Sequence, residues 1–377
     1  MKILHIVPYL PKSSGVTTFV DALTAECVKL GNVCKVVVGD FNWAGQGCTQ
    51  VEGVSRLSVS EGLDALQNEH WDVVHIHALW LPFIHRFVTL VQKKHVPIIW
   101  SVHGSLSPWA FRFKWWKKLP VWWLWQRHDI RLAKALHVTS VQEADWIKEY
   151  CFNVPIVDIP LGTHGVCNMC CSEFKVSSSR MVEGGNVCSA VNTTGPRIKR
   201  LLFVGRVAPV KALPKLIEAW AKACLKQWEL RIVGNGESTY VEMLKTQAEA
   251  LGVGAQVHFV GPRYDEGLLE EYRLADALAL VSETENFGAV VTDAMAHGLP
   301  VITSKGTRWS EVEEHQCGWW VDNDVDSLTK VLQSLGALSD AERAQMGENG
   351  KRLIQEKYTW PAVAKQMLVF YECLRRS

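Results

Sequence analysis

Residues 277–304 read ALALVSETENFGAVVTDAMAHGLPVITS: an apolar run, a polar loop, a helical pattern with Gly298 just past its end, and a second apolar run started by Pro300. A strand, loop, helix and strand in that order make a βαβ unit. The unit carries two acids of interest. Glu285 stands just before the helix and Asp293 about two turns into it, which separates the carboxylates by roughly 10 Å along the axis. Asn286 is the expected N-cap, which leaves the amides of Phe287, Gly288, Ala289 and Val290 aimed out of the helix start as a place for phosphate oxygens. Carboxylates accept paired sugar hydroxyls, so Glu285 and Asp293 suit a hexose and a ribose. Two acids near a helix start also favour the helix dipole with no ligand at all.

The same alternation runs outward in both directions. Expected strands are 2–7, 34–38, 73–77, 98–103, 137–140 and 156–160 in the first half, and 201–205, 230–234, 257–261, 277–282 and 301–304 in the second. The fold class is therefore α/β with parallel, doubly wound sheets. At 377 residues the chain exceeds one ordinary core, which divides it into domains 1–164 and 199–357, a linker or insertion at 165–198, and a final helix within 358–377 that packs back across the boundary. In open α/β sheets ligands bind outside the carboxyl ends of the strands, which puts a cleft between two such domains.

Composition narrows the partners. A net charge of +1 with 21% charged residues gives no nucleic-acid footprint, and no apolar run reaches membrane-spanning length. No signal peptide is read, and eleven cysteines without secretory features point to reduced thiols in the cytoplasm. Cys167, Cys170, Cys171 and Cys188, near His164, offer a single C-x2-C pair and no second set, so no structural metal is expected.

In LLFVGRVAPVKAL (201–213) Arg206 follows a strand and Lys211 comes five residues later. A guanidinium fork and a compact ammonium suit a diphosphate and the charge that builds as it departs. His103, between a strand and Gly104, is expected at the mouth of the first domain. His75 and His77 lie on a strand and read as core residues or as support for others. No G-x-G-x-x-G follows the first strand, which removes the phosphate loop of a dinucleotide oxidoreductase.

Around Trp109, Trp115, Trp116, Trp122, Trp123 and Trp125 cluster Arg112, Lys114, Lys117, Lys118 and Arg127. Amphipathic rings among cations suit a membrane surface and a lipid-linked acceptor. A core or dimer contact, or a platform for stacking sugars, fits the same composition.

These residues carry a resemblance. SETENFGAVVTDAMAHGLPVI resembles the E-x7-E motif of the large retaining family of GT-B glycosyltransferases, family 4-like, with Asp293 where that family has a second Glu. VGRVAPVKAL is similar to its GR…K phosphate segment, RIVGNGE to its nucleotide-side glycine turn, and SVHGSLSPWA to its histidine-glycine loop. DVVHIHALW resembles its mid-domain strand, and Ser14 and Gly15 stand where it has a glycine pair. IPLGTH replaces an Asn-Gly pair, and Ala212 replaces the Gly of Lys-Gly-Leu.

The resemblance implies a GT-B fold and transfer of a hexosyl group, with retention, from a nucleoside diphosphate sugar to a glycan acceptor. It implies catalytic roles for Glu285, His103, Arg206 and Lys211. Donor binding would fall to Gly15, Arg206, Lys211, Gly234, Asn235, Arg263, Phe287, Gly288, Ala289, Val290 and Asp293. It implies no metal or other cofactor, since the departing phosphate takes the acceptor's proton. Within that family the chain resembles bacterial lipopolysaccharide and capsule glycosyltransferases. With the Trp-rich stretch this suggests O-antigen or capsule assembly at the inner face of the plasma membrane. A non-catalytic sugar-nucleotide-binding protein of the same fold is the alternative.

Overall fold

The computed structural model describes residues 1–9, 15–39, 51–77, 79–163 and 197–376, with Trp109 given by its backbone alone. Ser14, His164 and the cysteines of the 165–198 segment lie outside the described residues. The chain forms two compact units, Met1–Gly162 with Glu356–Ser377, and Thr163–Gln355.

Among the described residues the first unit holds seven strands: β1 (Lys2–Val7), β2 (Val33–Val38), β3 (Ser55–Leu57), β4 (Val73–Ile76), β5 (Ile98–Ser101), β6 (Ala135–Val138) and β7 (Ile156–Asp158). They pair in the order β3-β2-β1-β4-β5-β6-β7, parallel throughout. Strands such as VVHI and IIWS are buried at every position because helices cover both faces. One face packs on the helices Val59–Asn68 and Pro82–Lys93 around Trp71, Trp100 and Phe87. The other packs on Gly15–Lys29 and the terminal helix Trp360–Arg376, through Phe19, Val363, Met367 and Tyr371. The chain's last helix thus shares a core with its first strand.

The second unit holds β8 (Lys199–Val204), β9 (Trp228–Val233), β10 (Val257–Gly261), β11 (Ala277–Leu280), β12 (Val301–Ser304) and β13 (Gly318–Val321). Their order is β10-β9-β8-β11-β12-β13, again parallel. In each sheet the strand order reverses beside the first strand, at β1/β4 and β8/β11, the position where such sheets bind ligands.

Several strands end earlier than expected: β4 stops at Ile76, β5 at Ser101 and β11 at Leu280. His77, His103 and Ser282 are thereby moved into the loops that follow. β6 runs two residues ahead of the expected 137–140, so Ser140 becomes a helix cap. β3 and β13 were not anticipated. One is three residues long, and the other, GWWV, follows a polar turn with no alternation to mark it.

Candidate functional site

The loop after β11 is stapled to its neighbours through the backbone. Glu283 donates its amide to the Val210 carbonyl at 2.8 Å, and Glu285 donates to Gly306 at 2.9 Å. This brings the Glu285 carboxylate to Lys211, which ends a short 3-10 turn, Pro209–Lys211. Lys211 Nζ donates to Glu285 Oε2, and Ser282 Oγ lies 3.3 Å from the same oxygen. Both side chains are mostly covered, 12% and 20% exposed, so the pair is poorly screened. After the turn Ala212 is left-handed, with φ 50°. That is the conformation a glycine adopts freely, and it explains the family's Gly at this place.

The helix begins later than expected. It spans Ala289–Ala296 and its N-cap is Gly288 with φ 77°, not Asn286. A left-handed residue is required there, and a Cβ would also sit 2.9 Å from Leu280 Cδ2. The donor amides therefore start at Ala289 and Val290. Phe287 is buried in the turn, its ring edge-on to Trp309 and its carbonyl accepting from Trp309 Nε1 at 2.8 Å. Trp309, which shapes this turn from below, carried no signal in its own sequence. Asp293 sits within the helix, where Thr163 Oγ1 donates to Oδ1 at 3.1 Å. Burial pushes its carboxyl up to about 6, and the threonine bond only partly opposes this.

Glycines close the ends of β8 and β9. A Cβ on Gly234 would lie 1.7 Å from the Gly205 carbonyl oxygen, so no other residue fits, and Gly234 donates its amide to Gly261 at 3.0 Å. Beside them Arg206, Asn235 and Arg263 are exposed. Arg206 makes no ion pair among the described residues, and Arg263 donates only to the Pro262 carbonyl, at 3.2 Å. The second unit thus groups Lys211 with Glu285, and leaves two guanidinium groups facing solvent on the loops after β8 and β10.

In the first unit Gly15 opens its helix in an exposed position, with open space around the place of a Cβ. His103 takes a left-handed conformation, φ 46°. The next amide, Gly104, donates to Glu143, whose other oxygen accepts from Thr139 N at 2.9 Å. Glu143 is buried, which pushes its carboxyl up. Glu143 and Ser140 were missed, although Ser140-x-x-Glu143 is the spacing of a helix start.

Behind His103 runs a row of buried rings. His103 Nε2 meets His77 Nδ1 at 3.2 Å, and His77 Nε2 meets His5 Nδ1 at 2.9 Å. A second row joins Tyr371 OH, His75 (2.6 Å), Ser101 (2.7 Å) and His137 (2.6 Å), ending on the Ile159 carbonyl at 2.8 Å. Desolvation holds His75 and His77 well below the usual imidazole range, His103 at about 3 and His137 at about 4. These four rings are therefore neutral at physiological pH. His5, His75 and His77 bring ligand-type atoms within 4.8 Å of one another, but their ring nitrogens are spent on hydrogen bonds, apart from His5 Nε2.

The Trp-rich stretch divides in two, and part of the surface expectation is corrected. Trp122 is 5% exposed, packed among Trp80, Phe111, Tyr150 and Phe152, so it is core. Lys118 is half-buried, with Nζ donating to the Ala110 carbonyl and lying over Trp80. Trp115, Trp116 and Trp123 are exposed, with Lys117 and Leu124 among them. Among the described residues no helix is long and apolar enough to cross a membrane.

Residues 15–162 match the family model described as a glycosyl transferase 4-like domain, and 192–353 match glycosyl transferases group 1. A D-inositol 3-phosphate glycosyltransferase of Corynebacterium efficiens is 32% identical over 185 residues, 46% of this chain and 42% of that protein. The aligned part thus spans under half of such relatives' length. Two solved structures share the fold. Sucrose-phosphate synthase from Thermosynechococcus elongatus has a TM-score of 0.70 at 18% identity, over 99% of both chains. Anabaena HepE in complex with UDP has 0.71 at 17%, over 99% of this chain and 100% of that one. With both halves matched in order and two parallel Rossmann-like units behind them, the chain belongs to the family 4-like GT-B glycosyltransferases.

Proposed function

We propose that the chain transfers a hexosyl group from a nucleoside diphosphate sugar to a hydroxyl of a lipid-linked glycan, with retention at the anomeric carbon. The observation that carries this is the Lys211–Glu285 pair, set beside the amide-lined start of the Ala289–Ala296 helix. A cation and free amides suit a diphosphate, and a carboxylate suits sugar hydroxyls. Lys211, Arg206 and the amides of Ala289 and Val290 neutralise the departing diphosphate, whose oxygen takes the acceptor's proton as the glycosidic bond forms. Glu285 and His103 hold the sugar. Asp293, one methylene shorter than Glu, holds the ribose directly or through a water. No metal is needed for this charge balance.

The exposed Trp115, Trp116 and Trp123 with Lys117 support docking at an anionic membrane, and through it assembly of a bacterial surface polysaccharide such as O-antigen or capsule. The UDP complex of HepE makes uracil the first base to try. Incubation of the purified chain with UDP-, GDP- and TDP-sugars, read by thermal shift and then by transfer to an undecaprenyl diphosphate-linked glycan, tests the reading. Product NMR reports the anomeric outcome. Donor binding without hydrolysis or transfer would instead identify a non-catalytic sugar-nucleotide-binding protein.

A further inference from the structure

The row of rings that ends at His103 has a direction. Neutral His77 carries one ring proton, and two ring-to-ring hydrogen bonds, His5 Nδ1 to His77 Nε2 and His77 Nδ1 to His103 Nε2, need one proton each. His77 has a single proton to place, so only two arrangements satisfy both bonds. Either all three rings carry it on Nδ1, and donation runs from His5 through His77 to His103. Or all three carry it on Nε2, and donation runs the other way.

The far end chooses between them. His5 is fully buried and its Nε2 has no hydrogen-bond partner. The Nε2 arrangement would leave a buried N–H with no acceptor there, whereas the Nδ1 arrangement leaves only a bare lone pair, the less costly of the two. At the near end His103 Nδ1 has no partner among the described residues, and His103 is partly exposed.

We propose that His77 and His5 are positioning residues that hold His103 in its Nδ1–H tautomer, so that its accessible edge presents a hydrogen-bond donor. This rests on the reading in which His103 serves the donor sugar. An Nδ1–H donates to a sugar oxygen and has no lone pair with which to take the acceptor's proton, so His103 binds and does not act as a base. Burial lowers the basicity of His77 and His103 and keeps these two rings neutral. The Gly104–Glu143 bond fixes the left-handed turn that aims the ring.

The test is two-bond 1H–15N correlation NMR on the full chain with 15N-labelled histidine, with the His103 signals assigned by their loss in His103→Gln. The expected result is Nδ1–H at His103 in the unsubstituted protein and a change to Nε2–H in His77→Leu. His77→Asn, whose amide can donate where Nδ1–H stood, should keep the Nδ1–H form. In transfer assays His77→Leu should lose roughly tenfold in kcat and His77→Asn should recover most of it. Nε2–H at His103 in the unsubstituted protein, or an unchanged tautomer in folded His77→Leu, overturns the proposal. The tautomer is read without substrate, so a chain that transfers no sugar bears on the donor reading alone.

Discussion

Lys211 and Glu285, 74 residues apart, form a mostly covered ion pair that joins the turn after β8 to the loop after β11. The pair has a structural value that must be separated from its chemistry. Removing one partner leaves a half-buried charge, at a cost of about 1–3 kcal/mol, whereas removing both relieves it. Glu285→Ala and Lys211→Ala should each lower transfer by roughly 100-fold or more. The double variant should regain thermal stability over either single one without regaining turnover. Denaturant melts run beside donor-transfer kinetics check this, and a double variant with restored activity would remove the catalytic assignment.

Asp293 offers a sign-specific test. Its folded carboxyl titrates near 6 against 3.8 for the free group, so ionisation costs more in the folded chain. That cost is fully present above pH 6 and fades as pH falls toward 3.8. Asp293→Asn should therefore raise the melting temperature at pH 8, leave it nearly unchanged near pH 4, and weaken binding of the nucleotide sugar at pH 8. Asp293→Glu should bind the donor nearly as well as the native chain. Melting curves at the two pH values and donor titration by calorimetry read both effects.

Both the fold and much of the site could be read from the chain because they follow local rules. Apolar runs of four to six residues separated by helical patterns lead to parallel sheets whatever their order, and Gly234 stands where nothing else fits. What escaped was set by tertiary contact. Asn286 satisfied the capping preference, yet the backbone turns at Gly288 because the Trp309 indole ties down the Phe287 carbonyl from a distant loop. Trp122 and Trp123 are adjacent and alike in sequence. Only the packing of Phe111, Tyr150 and Phe152 around one of them assigns it to the core. The histidine rows depend on strand register, His5 beside His75 and Ser101 beside His137, and register is invisible until the sheet is assembled.

The buried rings predict acid sensitivity in the first unit. A histidine free in the unfolded chain titrates near 6.5, while His75, His77, His103 and His137 stay neutral far below it when folded. The unfolded state then binds more protons, so stability falls as pH drops below 6.5. Between pH 7 and 5 the loss is roughly 1–2 kcal/mol for each ring. His137→Gln, which keeps a polar side chain in the row, should flatten this dependence by about one ring's share. Urea midpoints at pH 7, 6 and 5 measure it. The same depression means that no limb of the pH–rate profile between 5 and 8 belongs to His103.

The division of the Trp-rich stretch makes membrane docking testable without confusing it with unfolding. Trp122→Ala empties a core site and should cost about 3–5 kcal/mol, so its effect on membrane binding would be uninformative. Trp123→Ser and Trp116→Ser remove exposed rings, 67% and 58% accessible, and should leave the melting temperature within a degree or two. With Lys117→Ser added, flotation with vesicles of 30% phosphatidylglycerol should fall severalfold, and the remaining binding should be more easily reversed by salt as the apolar anchor is lost. Unchanged flotation of this folded triple variant would assign the exposed rings to a protein or glycan partner instead. The transfer rate to a short water-soluble acceptor should be the same in both proteins, because none of the three side chains belongs to the donor site.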